Sequence, residues 1–235
     1  MIQRYTMLFW KNPCESSLEE IVDTSYNLLN LLKQFDTALS PKYLTAYNKG
    51  DIREFVFTRS NLFDLLEKST NKEGNNTYLD LGRSISFFSS KFASESSGIR
   101  LTIGVNNKKA KNTFIVKPPY DVRLLIVERI DEFERLFKQI VEVFNPFWGC
   151  VYSNLTYVPH EQLFWKDARL SSVHWMNYFD NTTADTIGKD RMLSLPGIQK
   201  LEHGYYLKIQ DALFDAEFPN HLTNLNKVNN LLGLV

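Results

Sequence analysis

The spacing of apolar residues changes period several times along the chain, and each change predicts a different element. The opening run Met1-Ile2-Gln3-Arg4-Tyr5-Thr6-Met7-Leu8-Phe9-Trp10-Lys11 reads as a first strand. Ser16 and Ser17 then stand at capping-box spacing ahead of Glu19 and Glu20, and Leu18, Ile21, Val22, Ser25, Leu28, Leu29 and Leu32 share one helical face. That helix is expected to end between Phe35 and Leu39, because Pro41 disfavours helical geometry at Ser40. A shorter helix, capped by Thr58 or Ser60, turns Leu62, Leu65 and Leu66 inward and is stopped by the polar run from Thr70 to Asn76.

Apolar and polar residues alternate over Ser84 to Ser90 and again over Ile99 to Val105, and Thr113 to Lys117 follows a basic turn. The three segments predict an antiparallel meander with one wet face. Pro118-Pro119 ends it and delivers the chain into what should be the longest helix, Val122 to Phe144, with Ile126, Ile130, Phe133, Phe137, Ile140, Val141 and Phe144 inward and Pro146 as the stop. Trp148 to Ser153 reads as a strand, and Glu161 to Arg169 as a short helix or ordered loop. Val173 to Phe179 and Leu201 to Ile209 read as two strands that bury large aromatics, joined by a polar loop that passes through Leu195-Pro196-Gly197. Leu222, Leu225, Val228, Leu231 and Leu232 predict a terminal helix that closes the sheet. The expected fold class is α+β, antiparallel sheets flanked by a few amphipathic helices. The expected organisation is one domain over 1–235, whose element order also suits two related halves, 1–120 and 121–235.

Composition narrows the picture. A chain of 235 residues with 43% hydrophobic and 14% aromatic content can bury a sizeable core. Lys plus Arg equals Asp plus Glu at 27 each, so the broad basic field of a nucleic-acid binder is missing and nucleic acid is not an expected partner. No window approaches the ~18 apolar residues of a membrane span, and the N-terminal stretch lacks the apolar run of a secretory signal. A cytoplasmic protein without a membrane partner is the expectation. Cys14 and Cys150 are too few and too far apart for a disulfide framework or a thiol-metal motif, and in such a compartment the Asn-x-Thr sequences at Asn75, Asn154 and Asn181 are chance.

The search for chemistry yields little. His160 adjoins Glu161, His174 lies in the aromatic strand, His203 precedes Gly204 and His221 begins the last helix, and none has metal-ligand spacing. Cys150 sits among apolar strand neighbours and reads as a buried thiol. The glycines are isolated, so no loop resembles a phosphate cradle, and no cofactor or metal is expected. Two segments stand out as partner-binding candidates. Trp165, Lys166, Asp167 and Arg169 combine interface anchors with charge, against the plainer reading of a core Trp flanked by surface charges. Asp180, Asp185 and Asp190 recur too widely for an EF-hand, and read as solvated or as an acidic patch for a basic partner. The run Lys108-Lys109-Ala110-Lys111 reads as a solvated hairpin turn, with contact to an acidic partner as the sharper alternative.

The layout nevertheless has a resemblance. An early strand ending Leu8-Phe9-Trp10 is followed by a helix, by Leu81-Gly82-Arg83-Ser84-Ile85-Ser86-Phe87-Phe88, by a strand closing on Gly104-Val105 and by the stop at Pro118-Pro119. The later part adds Asn145-Pro146-Phe147-Trp148, Trp175-Met176-Asn177-Tyr178-Phe179, Leu195-Pro196-Gly197 and Gly204-Tyr205-Tyr206-Leu207. Together these resemble the bacterial polymorphic-toxin immunity proteins, the immunity protein 52 family in particular. The resemblance covers most of the chain. It implies a cytoplasmic α+β protein, not an enzyme, that binds a cognate toxin domain and neutralises it by protein–protein inhibition. Two other classes compete: an enzyme with a site built on His160 and Glu161 or on Cys150, and a self-associating structural or phage-related protein, such as a homodimer formed through the aromatic strands.

Overall fold

The structure is a computed structural model that describes residues 4–44, 53–73, 76–91, 96–119, 127–156, 170 and 172–234. The first strand, β1 (Tyr5–Lys11), leads into helix α1 (Leu18–Phe35). The capping box forms as the spacing predicts: the Ser17 hydroxyl accepts from the Glu20 amide, and the Ser17 amide donates to the Glu20 carboxylate at 2.8 Å. Two short strands, β2 (Tyr43–Leu44) and β3 (Arg53–Glu54), precede helix α2 (Arg59–Lys68), which Thr58 caps.

The polar run that should only have ended α2 instead forms strand β4 (Thr70–Glu73), paired with the long β5 (Asn76–Phe88). A strand with few apolar residues gives no periodicity to read, and the hydrogen-bonded ladder with β5 decides its conformation. Strands β6 (Gly98–Val105) and β7 (Asn112–Lys117) complete the antiparallel meander.

Of the predicted helix over 122–144, residues 122–126 fall outside the described residues. A 3-10 turn at Val127–Arg129 precedes helix α3 (Ile130–Phe144), so α1 is the longer of the two. Arg129 fixes this start. Its guanidinium donates to the Phe35 carbonyl at 2.8 Å, pairs with Asp36 at 3.0 Å and lies over the Phe35 ring, which ties the entry of α3 to the exit of α1. The buried stripe of α3 includes Leu136 beside the predicted Phe133, Phe137, Ile140, Val141 and Phe144.

Strand β8 (Trp148–Ser153) follows, and β9 (Met176–Asp180) is shorter than expected because Val173 to Trp175 lie before the ladder. The expected polar loop between the aromatic strands is instead two short helices, α4 (Asn181–Ile187) and α5 (Lys189–Leu193), and a further strand, β10 (Ile198–Lys200). Strand β11 (Gly204–Lys208) and helix α6 (Pro219–Leu232) close the chain.

All the strands among the described residues join one 11-stranded antiparallel sheet in the order β10-β11-β9-β8-β1-β7-β6-β5-β2-β3, with β4 on β5. Register assigns its two faces. Met7 and Phe9 pair with Val116 and Phe114, which pair in turn with Ile99 and Leu101, and then with Phe87 and Ile85. This face carries α1, α2 and α3: Phe9 meets Phe137 at 5.0 Å between ring centroids, and Phe114 meets Phe144 at 6.2 Å. Gly149 on β8 lies beneath Phe9, and a Cβ there would run into that ring.

The opposite face differs between the two ends of the sheet. From β8 to β11 it too is buried, with Trp148, Cys150, Asn177, Phe179, Tyr205 and Leu207 inaccessible. Ala184 and Ile187 of α4, Met192 of α5 and Leu225 and Leu232 of α6 join the same core. Over β5 to β7 the strands instead alternate, with buried Leu101 and Ile103 flanked by exposed Arg100 and half-buried Thr102. The meander's wet face is therefore present. Among the described residues, no helix is long and apolar enough to cross a membrane.

A charged cluster lies within the helical face. Glu134 of α3 accepts from Lys138 at 2.7 Å and from Lys208 of β11 at 2.7 Å, with its side chain only 12% accessible. Burial by itself would raise the Glu134 pKa, but the hydrogen bonds and charges of the two lysines outweigh it and hold the carboxyl below its usual range. Such a group contributes stability above its unfolded pKa that is lost as pH falls through the lower folded value. Glu134→Ala should cost about 1–3 kcal/mol at neutral pH in chemical denaturation, because it leaves Lys138 without its anion and beside Lys208, which keeps only the exposed Asp211. A variant within a few tenths of wild type would show that solvent already screens the cluster.

Candidate interaction surface

The β6–β7 hairpin is built from the side chains of asparagines. Asp80 on β5 accepts the amides of Asn106 and Asn107 at its carbonyl, and its carboxylate accepts from the Asn107 side chain at 2.6 Å. The Asn107 side-chain oxygen accepts from the Lys109 amide at 2.9 Å, an Asx turn that sets the tip. Asn112, 1% accessible, accepts from the Val105 amide at 2.8 Å and donates to the Asn12 carbonyl at 3.0 Å. The turn is thus fastened both to β5 and to the segment between β1 and α1. It presents Lys108, Lys109 and Lys111 in exposed positions. Lys111 donates to the Asn12 side chain at 2.9 Å and lies 5.3 Å from the centre of the Phe147 ring.

Two sequence-predicted features meet here. Asp180 and Lys111 line the same depression of about 200 Å³, together with Asn12, Phe147 and Thr186. Asp180 already has a structural role, since its carboxylate caps α4 by accepting from the Thr183 amide at 2.7 Å. Asp185 on α4 and Asp190 in the first turn of α5 are exposed, and among the described residues neither is in an ion pair. The three aspartates are therefore not alike: one holds a helix end and two face solvent. Trp165, Lys166, Asp167 and Arg169 lie outside the described residues.

The wet face continues from the hairpin along the strands. Ser84 and Thr102 share a hydrogen bond at 3.1 Å across β5 and β6, and Arg100 and Lys117 stand exposed on β6 and β7. At the far end of this face is a cavity of about 380 Å³ lined by Thr6, Phe88, Gly98, Lys117 and Tyr152, with Arg4 at its edge. Arg100 and Lys117 were not singled out from sequence. The signal was present: they occupy the polar phase of the alternation, in a stretch from Ser96 to Pro119 that contains no acid.

The residues weighed as catalytic take other positions. Cys150 is fully buried in β8, and burial pushes its thiol well above the usual range, which leaves it protonated and unreactive at neutral pH. His174 is 3% accessible, its ring packed against Trp148 and Tyr152 with neither nitrogen hydrogen-bonded, and burial pushes its pKa down to about 4. His221 accepts from the Asp215 amide at 2.9 Å within the first turn of α6. His203 is exposed near Glu202. His160 and Glu161 lie outside the described residues. Among the described residues, no group of three or more His, Cys, Asp or Glu is placed to hold a metal ion.

No family model and no curated protein matches the sequence. The fold is similar to that of the Pseudomonas aeruginosa T6SS protein PA0821, with a TM-score of 0.64 over 98% of this chain and 76% of that chain, at 11% sequence identity. At that identity the likeness is one of fold.

Proposed function

We propose that this chain is an immunity protein of a bacterial toxin system, which binds a cognate toxin domain and neutralises it by covering its active surface. The observation that carries the reading is the likeness in fold, over 98% of the chain, to a T6SS protein. The resemblance of the segment pattern to the immunity protein 52 family points the same way. A protein inhibitor needs a scaffold that does not deform and a face left open for the partner. The sheet is covered on both sides from β8 to β11 and wet on one side from β5 to β7, which suits such an inhibitor.

The other readings find less support. Cys150 is a poor nucleophile where it stands. Self-association through the aromatic strands would require accessible rings, but Trp175, Tyr178 and Tyr206 are at most 2% accessible. Light scattering should accordingly give one molecular mass across a wide range of concentration. Co-expression with the toxin domain encoded by the neighbouring gene should restore growth, and the two proteins should co-purify. Neither rescue nor complex would remove the proposal.

A further inference from the structure

The chain has no net charge, but its cations are not spread evenly. Between Ser96 and Pro119 there are five cations, Arg100, Lys108, Lys109, Lys111 and Lys117, and no acid. All five are exposed, and none is in an ion pair among the described residues. Elsewhere several cations are neutralised locally, as Arg59 is by Glu19 and Asp23, Lys91 by Glu54, and Lys208 by Glu134 and Asp211. The sequence thus concentrates positive charge, unpaired among the described residues, on a hairpin whose strands carry the wet face.

We infer that the wet face of β6 and β7, with the hairpin between them, is a docking surface for an acidic protein partner. The inference rests on the proposed immunity function and supplies the chemistry of the partner's contact patch. Arg100 and Lys117 are diagonal neighbours, because Gly98 pairs with Lys117 and Arg100 with Ile115. At ~3.3 Å per residue, Arg100 lies about 17 Å from the end of β6 at Val105 and the hairpin tip extends beyond it, a span that fits within a patch of about 800 Å². Between the charges the face offers the Thr102 and Thr113 hydroxyls and half-buried Ile115. The cavity beside Lys117 can receive a partner side chain at one end. Unlike a single-strand nucleic-acid platform, β6 and β7 place no aromatic ring on this face for a base to stack on. Exposed like charges held on a fastened turn, none of them in an ion pair among the described residues, favour an acidic protein surface.

The test compares Arg100→Glu/Lys117→Glu and Lys108→Glu/Lys109→Glu with a control of equal charge change on exposed helix positions, Lys68→Glu/Lys227→Glu. Circular dichroism confirms that each variant is folded. Affinity for the neighbouring gene's toxin domain is measured by calorimetry at ~0.05 M and ~0.3 M salt. Each face variant should lose about tenfold or more in affinity, the control should bind like wild type, and wild-type affinity should fall with salt. A complex whose affinity survives both reversals would overturn the docking surface and leave the immunity function standing.

If no complex forms, the functional proposal falls, and a second measurement decides the surface alone. An oligoglutamate peptide and a single-stranded DNA of equal charge, each roughly ten units long, are titrated into isotope-labelled protein and followed by NMR. Amide shifts confined to β6, β7 and their hairpin with the peptide support the inference. Shifts elsewhere, no shifts, or tighter binding of the DNA overturn it.

Discussion

Lowering the pH from 6.5 toward about 4 is expected to remove roughly 3 kcal/mol of folding stability through His174 alone. The ring is 3% accessible, lies between Trp148 and Tyr152, and has no hydrogen-bond partner at either nitrogen. Protonating it in the fold would place a cation in an apolar setting without a counter-charge, which is why its pKa is pushed down. The unfolded chain has no such penalty and takes up the proton at the ordinary value near 6.5. Between the two values the unfolded state binds more protons than the native state, so stability falls as pH falls and levels off once both are protonated. The His174 contribution is therefore fully present above 6.5 and absent below about 4. His174→Phe separates this effect from general acid denaturation. It removes both orphaned nitrogens and keeps a ring, at a packing cost of about 1–3 kcal/mol that does not depend on pH. The gap between wild type and His174→Phe, measured by urea denaturation from pH about 7 to about 4, should move in favour of the variant as pH drops. A gap that stays constant over that range would mean that the histidine reaches solvent or a partner in solution.

Replacing Trp175 by Ala should cost about 3–5 kcal/mol, enough to bring a domain of ordinary stability close to unfolding. Trp175 links parts of the chain that are far apart in sequence. Its ring stacks on Phe133 of α3 with planes 11° apart and lies 6.2 Å from Tyr5 of β1, and its indole nitrogen donates to the Gln210 carbonyl at 3.1 Å. Truncation leaves a cavity among aromatics that cannot collapse together, and orphans a carbonyl. Trp175→Phe retains much of the contact, and should cost clearly less than the alanine variant. Equal losses in the two variants would put the stabilisation in the hydrogen bond and not in the stacked rings.

These two side chains also show where sequence reading stops. The run Trp175 to Phe179 announces burial by its composition, and all of it is buried. Nothing in that run says that His174 would be left without a partner. Tertiary packing decides it: Asn177 uses its side chain to accept from the His174 amide at 2.8 Å and donate to its carbonyl at 2.6 Å, while the ring lies against Trp148 and Tyr152 with neither nitrogen hydrogen-bonded. The acidic series is a similar case. Equal spacing made Asp180, Asp185 and Asp190 look alike, but Asp180 ends a strand and caps a helix, which gives it a role the other two do not share.

By itself the sequence determined what local physics controls. Ser17 and Glu20 set the start of α1, the period of two set β6 and β7 with their wet face, and Pro146 set the end of α3, which the structure places at Phe144. Only the tertiary structure decided that Thr70–Glu73 is a strand, that the loop after Asp180 is helical, and that β1 stands between β7 and β8 at the centre of one sheet. It also decided that five cations of a neutral chain stand exposed on one face and its hairpin without an ion pair among the described residues. Capping and periodicity act over a few residues, whereas the order of the central strands depends on partners about a hundred residues away, as Met7 and Val116 are; Thr70–Glu73 pairs with near neighbours in β5 but is polar throughout, so it carries no periodicity to read.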